Sequence, residues 1–134
     1  MTFKRIVRKV YDNNLPIYLI HFAMIFRDVK ENTYLDNGWG DSCYAVSKVG
    51  VSALTVVQQR NFDDEIPYRN VSVNSVHPGY VITDLTGNTG NLTVDEGAKA
   101  PLYLALDDHN LKGKYVWYNS TLIEWTAPST PTRY

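Results

Sequence analysis

Cysteine is almost absent from this 134-residue chain, where Cys43 stands alone. A single thiol excludes an internal disulfide and a cysteine metal cluster and suits a reducing compartment, so a cytoplasmic location is expected. A surplus of one charge is also lacking. Lys and Arg number 13 against 14 Asp and Glu, a formal net charge of -1, so no global field recommends nucleic acid or an anionic membrane as partner. Long apolar runs are missing too. The segment Leu15 to Phe26 falls short of the roughly 20 residues that span a bilayer. It follows Lys4, Arg5, Arg8 and Lys9 much as the core of a secretory signal follows its charges. Pro16 and His21 interrupt it, however, and Arg27-Asp28 stands where small cleavage-site residues belong, so it reads as a core element. Without a secretory signal, the Asn-x-Ser/Thr triplets at Asn70, Asn91 and Asn119 read as accidental.

What is present is globular material: 44% of the residues are hydrophobic, enough to build the core of one domain or a piece of one. Phe3, Ile6, Val7, Val10 and Tyr11 recur at helical spacing opposite four basic residues, which predicts a short amphipathic helix. The Leu15 to Phe26 segment is read as helix, although periodicity does not separate helix from strand there. Residues 27 to 42 are polar and end in a turn-rich loop in which Trp39 serves as a packing anchor. A helix is expected from about Cys43 to Asn61, with Val46, Val49, Gly50, Ala53, Leu54 and Val57 as its apolar stripe. Gln58, Gln59 and Arg60 mark its solvated end.

Further on, Val71 to Val76 reads as a strand stopped by His77-Pro78-Gly79. The loop from Asp84 to Leu92, with Gly87 and Gly90, is expected to be flexible and lies past the strand's C-terminal end, where open α/β sheets place ligands. Thr93 and Glu96 form a capping box that opens a helix to about Leu106. Lys114 to Tyr118 is a second short strand, and the tail with Pro128 and Pro131 is expected to be loose. Helix, link and strand in succession make a layered α/β architecture.

The chemistry gathers at the head of the Cys43 helix. Tyr44 and Lys48 are four residues apart, so phenol and ammonium leave one face at neighbouring heights. A cation within about 4–6 Å stabilises a phenolate and moves a tyrosine toward the range where it trades protons at working pH. Such a tyrosine can protonate a carbonyl oxygen under reduction. A lone Tyr-x-x-x-Lys is a weak motif, and an amphipathic helix with an exposed lysine explains it equally.

Tyr44-Ala45-Val46-Ser47-Lys48-Val49-Gly50-Val51, followed about thirty residues later by Val73-Asn74-Ser75-Val76-His77-Pro78-Gly79-Tyr80-Val81-Ile82-Thr83-Asp84, resembles the second half of a short-chain dehydrogenase/reductase. More narrowly it resembles the NADPH-dependent carbonyl reductases, with support from Asn37-Gly38-Trp39, Glu96 to Leu106, and Gly113 to Val116 running on to Trp125. The resemblance covers about residues 26 to 125. It implies an α/β fold, the C-terminal part of a Rossmann-like, doubly wound parallel sheet. It implies Tyr44 as the general acid and Lys48 as the lysine that lowers the tyrosine pKa and bonds the nicotinamide ribose. Pro78 and Gly79 match the turn that brings backbone against the nicotinamide, and Val81 and Thr83 match contacts to its carboxamide and the nearby phosphate. Tyr80 matches a bulky aromatic of the substrate pocket. His77, standing where some relatives carry a cysteine, is a pocket candidate, although a lone histidine before Pro-Gly is more often structural.

The departures bear equally on function. The family begins with a strand and a Gly-rich turn whose N–H groups hold the pyrophosphate. No such turn occurs here, and the family's catalytic serine has no counterpart. The domain expectation is therefore one partial Rossmann-like domain: residues 1–42 as an insertion-like helical segment and loop, 43–125 as catalytic helix, nicotinamide-side turn, substrate loop and last strand, and 126–134 as tail. The chain reads as an N-terminally truncated carbonyl reductase or an incomplete reading of a longer gene, inactive alone. Its expected ligands are a small carbonyl substrate and NADPH, with NADH left open because the residues that read the ribose 2′ position would lie upstream. The alternative is a non-catalytic binding or regulatory fragment that docks onto a partner chain. A monomer is the family expectation, with association through an uncovered sheet as the other course.

Overall fold

A computed structural model describes residues 15–124, with side chains from residue 23 onward. The amphipathic helix expected at residues 3–11 and the C-terminal tail lie outside the described residues. Two compact units divide the chain, Met1–Val57 and Gln58–Tyr134.

In the first unit, α1 spans Leu15–Lys30, so the ambiguous apolar segment is a helix. Pro16 sits in its first turn, where a missing N–H leaves no helical bond unmade. The helix runs four residues beyond the expected end because its stop signal is Asn32, in the left-handed region at φ 57. Thr33 N–H bonds Asp28 O at 2.8 Å and Asn32 N–H bonds Val29 O at 3.2 Å, closing a Schellman motif. A second closure of the same form follows. Gly38, at φ 79, lets Trp39 N–H reach back to Tyr34 O at 3.0 Å. This returns the Trp39 side chain to a buried place where Nε1 donates to Asp28 Oδ2 at 2.8 Å.

Trp39 is thus the anchor the sequence suggested, and its partner is a carboxylate. Asp28 also takes the Arg27 guanidinium at 2.8 Å. The Trp39 bond first, then the Arg27 bond, hold its carboxyl below the ordinary value.

The helix α2 spans Cys43–Asp63 and is started by Ser42, whose Oγ accepts Ala45 N–H at 3.2 Å. Its hydroxyl residues return their O–H groups to the helix: Ser47 to Tyr44 O, Ser52 to Lys48 O and Thr55 to Val51 O. The buried positions are Ala53, Thr55, Val56, Val57 and Gln59, while Leu54 is exposed. The expected stripe is therefore corrected in its C-terminal half, because the residues that pack follow the polar bonds of Gln59 as well as apolarity.

Gln59 is the largest departure from the sequence reading. It is buried, not part of a solvated end, and its carboxamide accepts Val73 N–H at 2.6 Å and donates to Val71 O at 3.0 Å. It therefore acts as a strand-like partner for residues 71–73 within the second unit, to which Gln59 itself belongs. Asn74 does the same on the other side, accepting Lys114 N–H at 3.0 Å and donating to Leu111 O at 2.8 Å. With side chains holding these groups, regular pairing begins only at Ser75, and β1 shrinks to Ser75–Val76.

β2 is Tyr115–Val116 and β3 is Leu122–Ile123. β1 runs parallel to β2 and β2 antiparallel to β3, in the order β1-β2-β3. The hairpin that makes β3 was not expected. Its turn places Ser120 at φ 64, with Trp117 N–H on Thr121 O at 2.8 Å. α3, Val94–Leu106, has its expected limits and capping box: Glu96 N–H on Thr93 Oγ1 at 3.2 Å and Thr93 N–H on Glu96 Oε2 at 2.8 Å. These bonds from Thr93, backbone before side chain, lower the Glu96 pKa. No helix among the described residues is long and apolar enough to cross a membrane.

Candidate active site

The residues singled out by sequence fall into two groups, one in each unit. In the first unit, helical spacing alone brings Tyr44 and Lys48 together: Lys48 Nζ lies 5.4 Å from the Tyr44 ring centroid. Both side chains are exposed, Tyr44 at 69%. The phenol therefore faces solvent with a cation over its ring.

In the second unit, Pro78, Gly79, Tyr80, Val81 and Thr83 form one closely bonded turn. His77 opens it. Its backbone N–H continues the β1 pairing to Val116 O at 2.9 Å, and its Nδ1 accepts the Gly79 N–H at 3.0 Å. The ring stacks on Trp117 with centroids 4.3 Å apart and planes at 28°. Burial pushes the imidazole pKa down.

Gly79 sits at φ 86, and a Cβ there would meet Leu92 Cδ1 at 2.2 Å. Glycine is required there by the left-handed backbone conformation, and the Leu92 side chain would have to shift for any Cβ. Val81 then bridges to Leu92 in parallel, with Leu92 N–H on Tyr80 O at 3.1 Å and Ile82 N–H on Leu92 O at 2.8 Å.

Alternation along an extended segment turns Val81's own N–H and C=O to the opposite edge. There the C=O accepts the Thr86 hydroxyl at 2.8 Å, and no described residue accepts the N–H. An amide donor of this kind fits a ligand acceptor oxygen such as that of a carboxamide. The described residues include no Gly-rich turn after a strand that would hold a pyrophosphate.

Sequence reasoning passed over the residues that fix this turn. Thr86 lies in a short 3-10 turn, Asp84–Thr86. Its Oγ1 accepts Thr83 N–H at 3.0 Å and lies 2.8 Å from Val81 O and 2.9 Å from Thr83 O. Thr89 bonds the Tyr80 hydroxyl and donates to Thr86 O at 2.6 Å.

Gly90 is pressed on the backbone of Val81 and Ile82, where a Cβ would stand 2.3 Å from Val81 C. Gly97 of α3 receives the Val81 side chain, since a Cβ would meet Val81 Cγ2 at 2.4 Å. The loop from Asp84 to Leu92, expected to be flexible, is in fact tied at Thr83, Thr86, Asn91 and Leu92 by backbone and hydroxyl bonds. Gly90 and Gly97 were the available signal, since a glycine at a loop end or within a helix marks close approach of another segment.

Among the described residues no group of three or more His, Cys, Asp or Glu could hold a metal ion.

The fold and this pair of motifs match those of α/β reductases, and known proteins agree. The chain is 42% identical over 79 residues to carbonyl reductase (NADPH) 3 of Rattus norvegicus, covering 59% of this chain and 28% of that protein. It is 31% identical over 103 residues to carbonyl reductase (NADPH) 1 of Sus scrofa, covering 75% of this chain and 36% of the relative. Salutaridine reductase from Papaver somniferum superposes with a TM-score of 0.66 at 30% identity, over 83% of this chain and 37% of that one. No protein-family model matches. Over the matched residues the chain is similar to reductases of the short-chain dehydrogenase/reductase family, and it spans about a third of the length of the relatives it matches.

Proposed function

We propose that this chain carries the proton-donating and nicotinamide-side part of an NADPH-dependent carbonyl reductase acting on ketones or aldehydes in the cytoplasm. The observation that carries the reading is the Tyr44–Lys48 pair on α2, with the ammonium 5.4 Å from the phenol ring. When bound, the nicotinamide supplies a hydride to the carbonyl carbon. With the cofactor bound, Tyr44 would give its O–H proton to the carbonyl oxygen and Lys48 would hold the nicotinamide ribose. Pro78 and Gly79 would set the backbone at the nicotinamide, the Val81 N–H would hold its carboxamide, Thr83 would hold the phosphate, and Tyr80 would wall the substrate. A polypeptide of these 134 residues is inactive alone, because it offers neither a Gly-rich pyrophosphate turn nor a serine to orient the carbonyl.

Mixing the chain with NADPH and a reactive diketone, and following absorbance of the reduced nicotinamide, tests this. No turnover above background is expected. Turnover abolished by Tyr44→Phe would overturn the inactivity and strengthen the acid assignment, while turnover kept by that variant would overturn the acid.

A second reading, a non-catalytic fragment that docks on a partner, is favoured by the sheet itself. β1 is an edge strand with a parallel neighbour on one side only among the described residues, and open edges of this kind invite pairing. Size-exclusion chromatography separates the readings, since a monodisperse monomer with a cooperative melt counts against the docking fragment.

A further inference from the structure

We infer that His77 is a positioning residue, whose neutral Nδ1 sets the Pro78–Gly79 turn and thereby aims the Val81 N–H. The inference rests on the carbonyl reductase reading, and it moves His77 from the substrate pocket to the frame beneath the cofactor-side turn.

Pro78 has no N–H of its own, so the turn's first donor is Gly79, and that donor is taken by the imidazole at 3.0 Å. Accepting at Nδ1 requires a lone pair there, which fixes the neutral ring with its proton on Nε2. Two further features hold the ring in that pose. Its backbone N–H is tied to Val116 O at 2.9 Å. Its plane lies on Trp117 with centroids 4.3 Å apart.

Beyond the turn, every constraint passes to Val81. Gly79 at φ 86 delivers the chain to the Leu92 bridge, Gly97 receives the Val81 side chain, and Thr86 takes the Val81 C=O at 2.8 Å. The peptide carrying the Val81 N–H is held through its Tyr80 C=O by the Asn91 and Leu92 N–H groups at 2.9 and 3.1 Å, and the peptide after it by Thr86 and Leu92. The chain enters that peptide through the turn that His77 closes.

Ring stacking and hydrogen-bond acceptance separate cleanly by substitution. His77→Phe keeps an aromatic face for Trp117 and has no acceptor. His77→Asn loses the stack and keeps an oxygen able to accept from the N–H two residues on, the Asx-turn geometry. Amide hydrogen exchange at Gly79, measured on the full chain, is expected to be at least tenfold faster in His77→Phe and to return to within threefold of the parent in His77→Asn. Thermal melting of each variant serves as the folding control. Equal Gly79 protection in all three chains overturns the inference, as does loss of protection in both variants with unchanged melting.

Titration with reduced nicotinamide mononucleotide then reads the functional side. A shift of the Val81 amide resonance in the parent, reduced at least threefold in His77→Phe and recovered in His77→Asn, supports the aiming role. No shift in the parent overturns the cofactor-side reading and the aiming role with it, while the ligand-free exchange result separately decides whether the turn bond exists.

Discussion

Tyr44 and Val81 belong to opposite kinds of structure. Around Tyr44 the constraints are few: one helix, a Ser42 cap and a lysine one turn on, with both functional side chains exposed. Around Val81 almost every polar group and every glycine is committed, through His77, Thr86, Leu92, Gly90 and Gly97. The difference teaches that reactive groups can be carried on plain helical spacing, whereas a backbone donor must be aimed by several segments at once. Substitutions should therefore be severe in the turn and mild in the pair.

The largest effect is expected at Gly90. Its Cβ would meet backbone atoms of Val81 and Ile82 at 2.3 to 2.5 Å, and backbone cannot step aside as a side chain can. Gly90→Ala should destabilise the second unit by about 3 kcal/mol in denaturant unfolding. Gly79→Ala should cost about 2 kcal/mol, from the left-handed φ and from Leu92 together. Equal tolerance at both glycines would break the contrast drawn here.

Next in size is Gln59→Ala, which strips the partners from Val73 N–H and Val71 O. A loss of about 2 kcal/mol is expected, and the amide of Val73 should lose its exchange protection. A change under about 0.5 kcal/mol would show that residues 71–73 are held by something other than that carboxamide.

A smaller effect follows from pH. Burial holds the His77 pKa below the ordinary 6.5, so the unfolded chain binds a proton more readily than the folded one. The stability this group contributes is complete above pH 6.5 and is lost as pH falls through that value toward the folded pKa. The melting midpoint should drop across that window in the parent and less in His77→Phe. Smallest of all, Tyr44→Phe should leave stability within about 0.5 kcal/mol, since an exposed hydroxyl on a helix surface supports no packing.

Much of this architecture was legible in the residues, and what escaped has a common cause. α3 was readable to its ends because Thr93 and Glu96 state their bonds locally. α1 overran its expected end because Asn32, the residue that stops it, was not read as a left-handed cap. The strands were read too long because the groups that replace ladder bonds come from Gln59 and Asn74, at distances no periodicity reports. The Tyr44 motif was visible because its spacing is its geometry. Thr86 was passed over, and His77 and Gly90 were named only as a pocket candidate and a loop glycine, because what they touch across the turn has no local signal.

The central claim, that residues 78–83 receive the nicotinamide end of NADPH, is tested most directly by intermolecular nuclear Overhauser effects between NADPH and the isotopically labelled chain. The account predicts contacts from the nicotinamide ring protons to Pro78, Gly79 and Val81. Saturating NADPH with no such contacts, or with contacts confined to residues outside this turn, would contradict it.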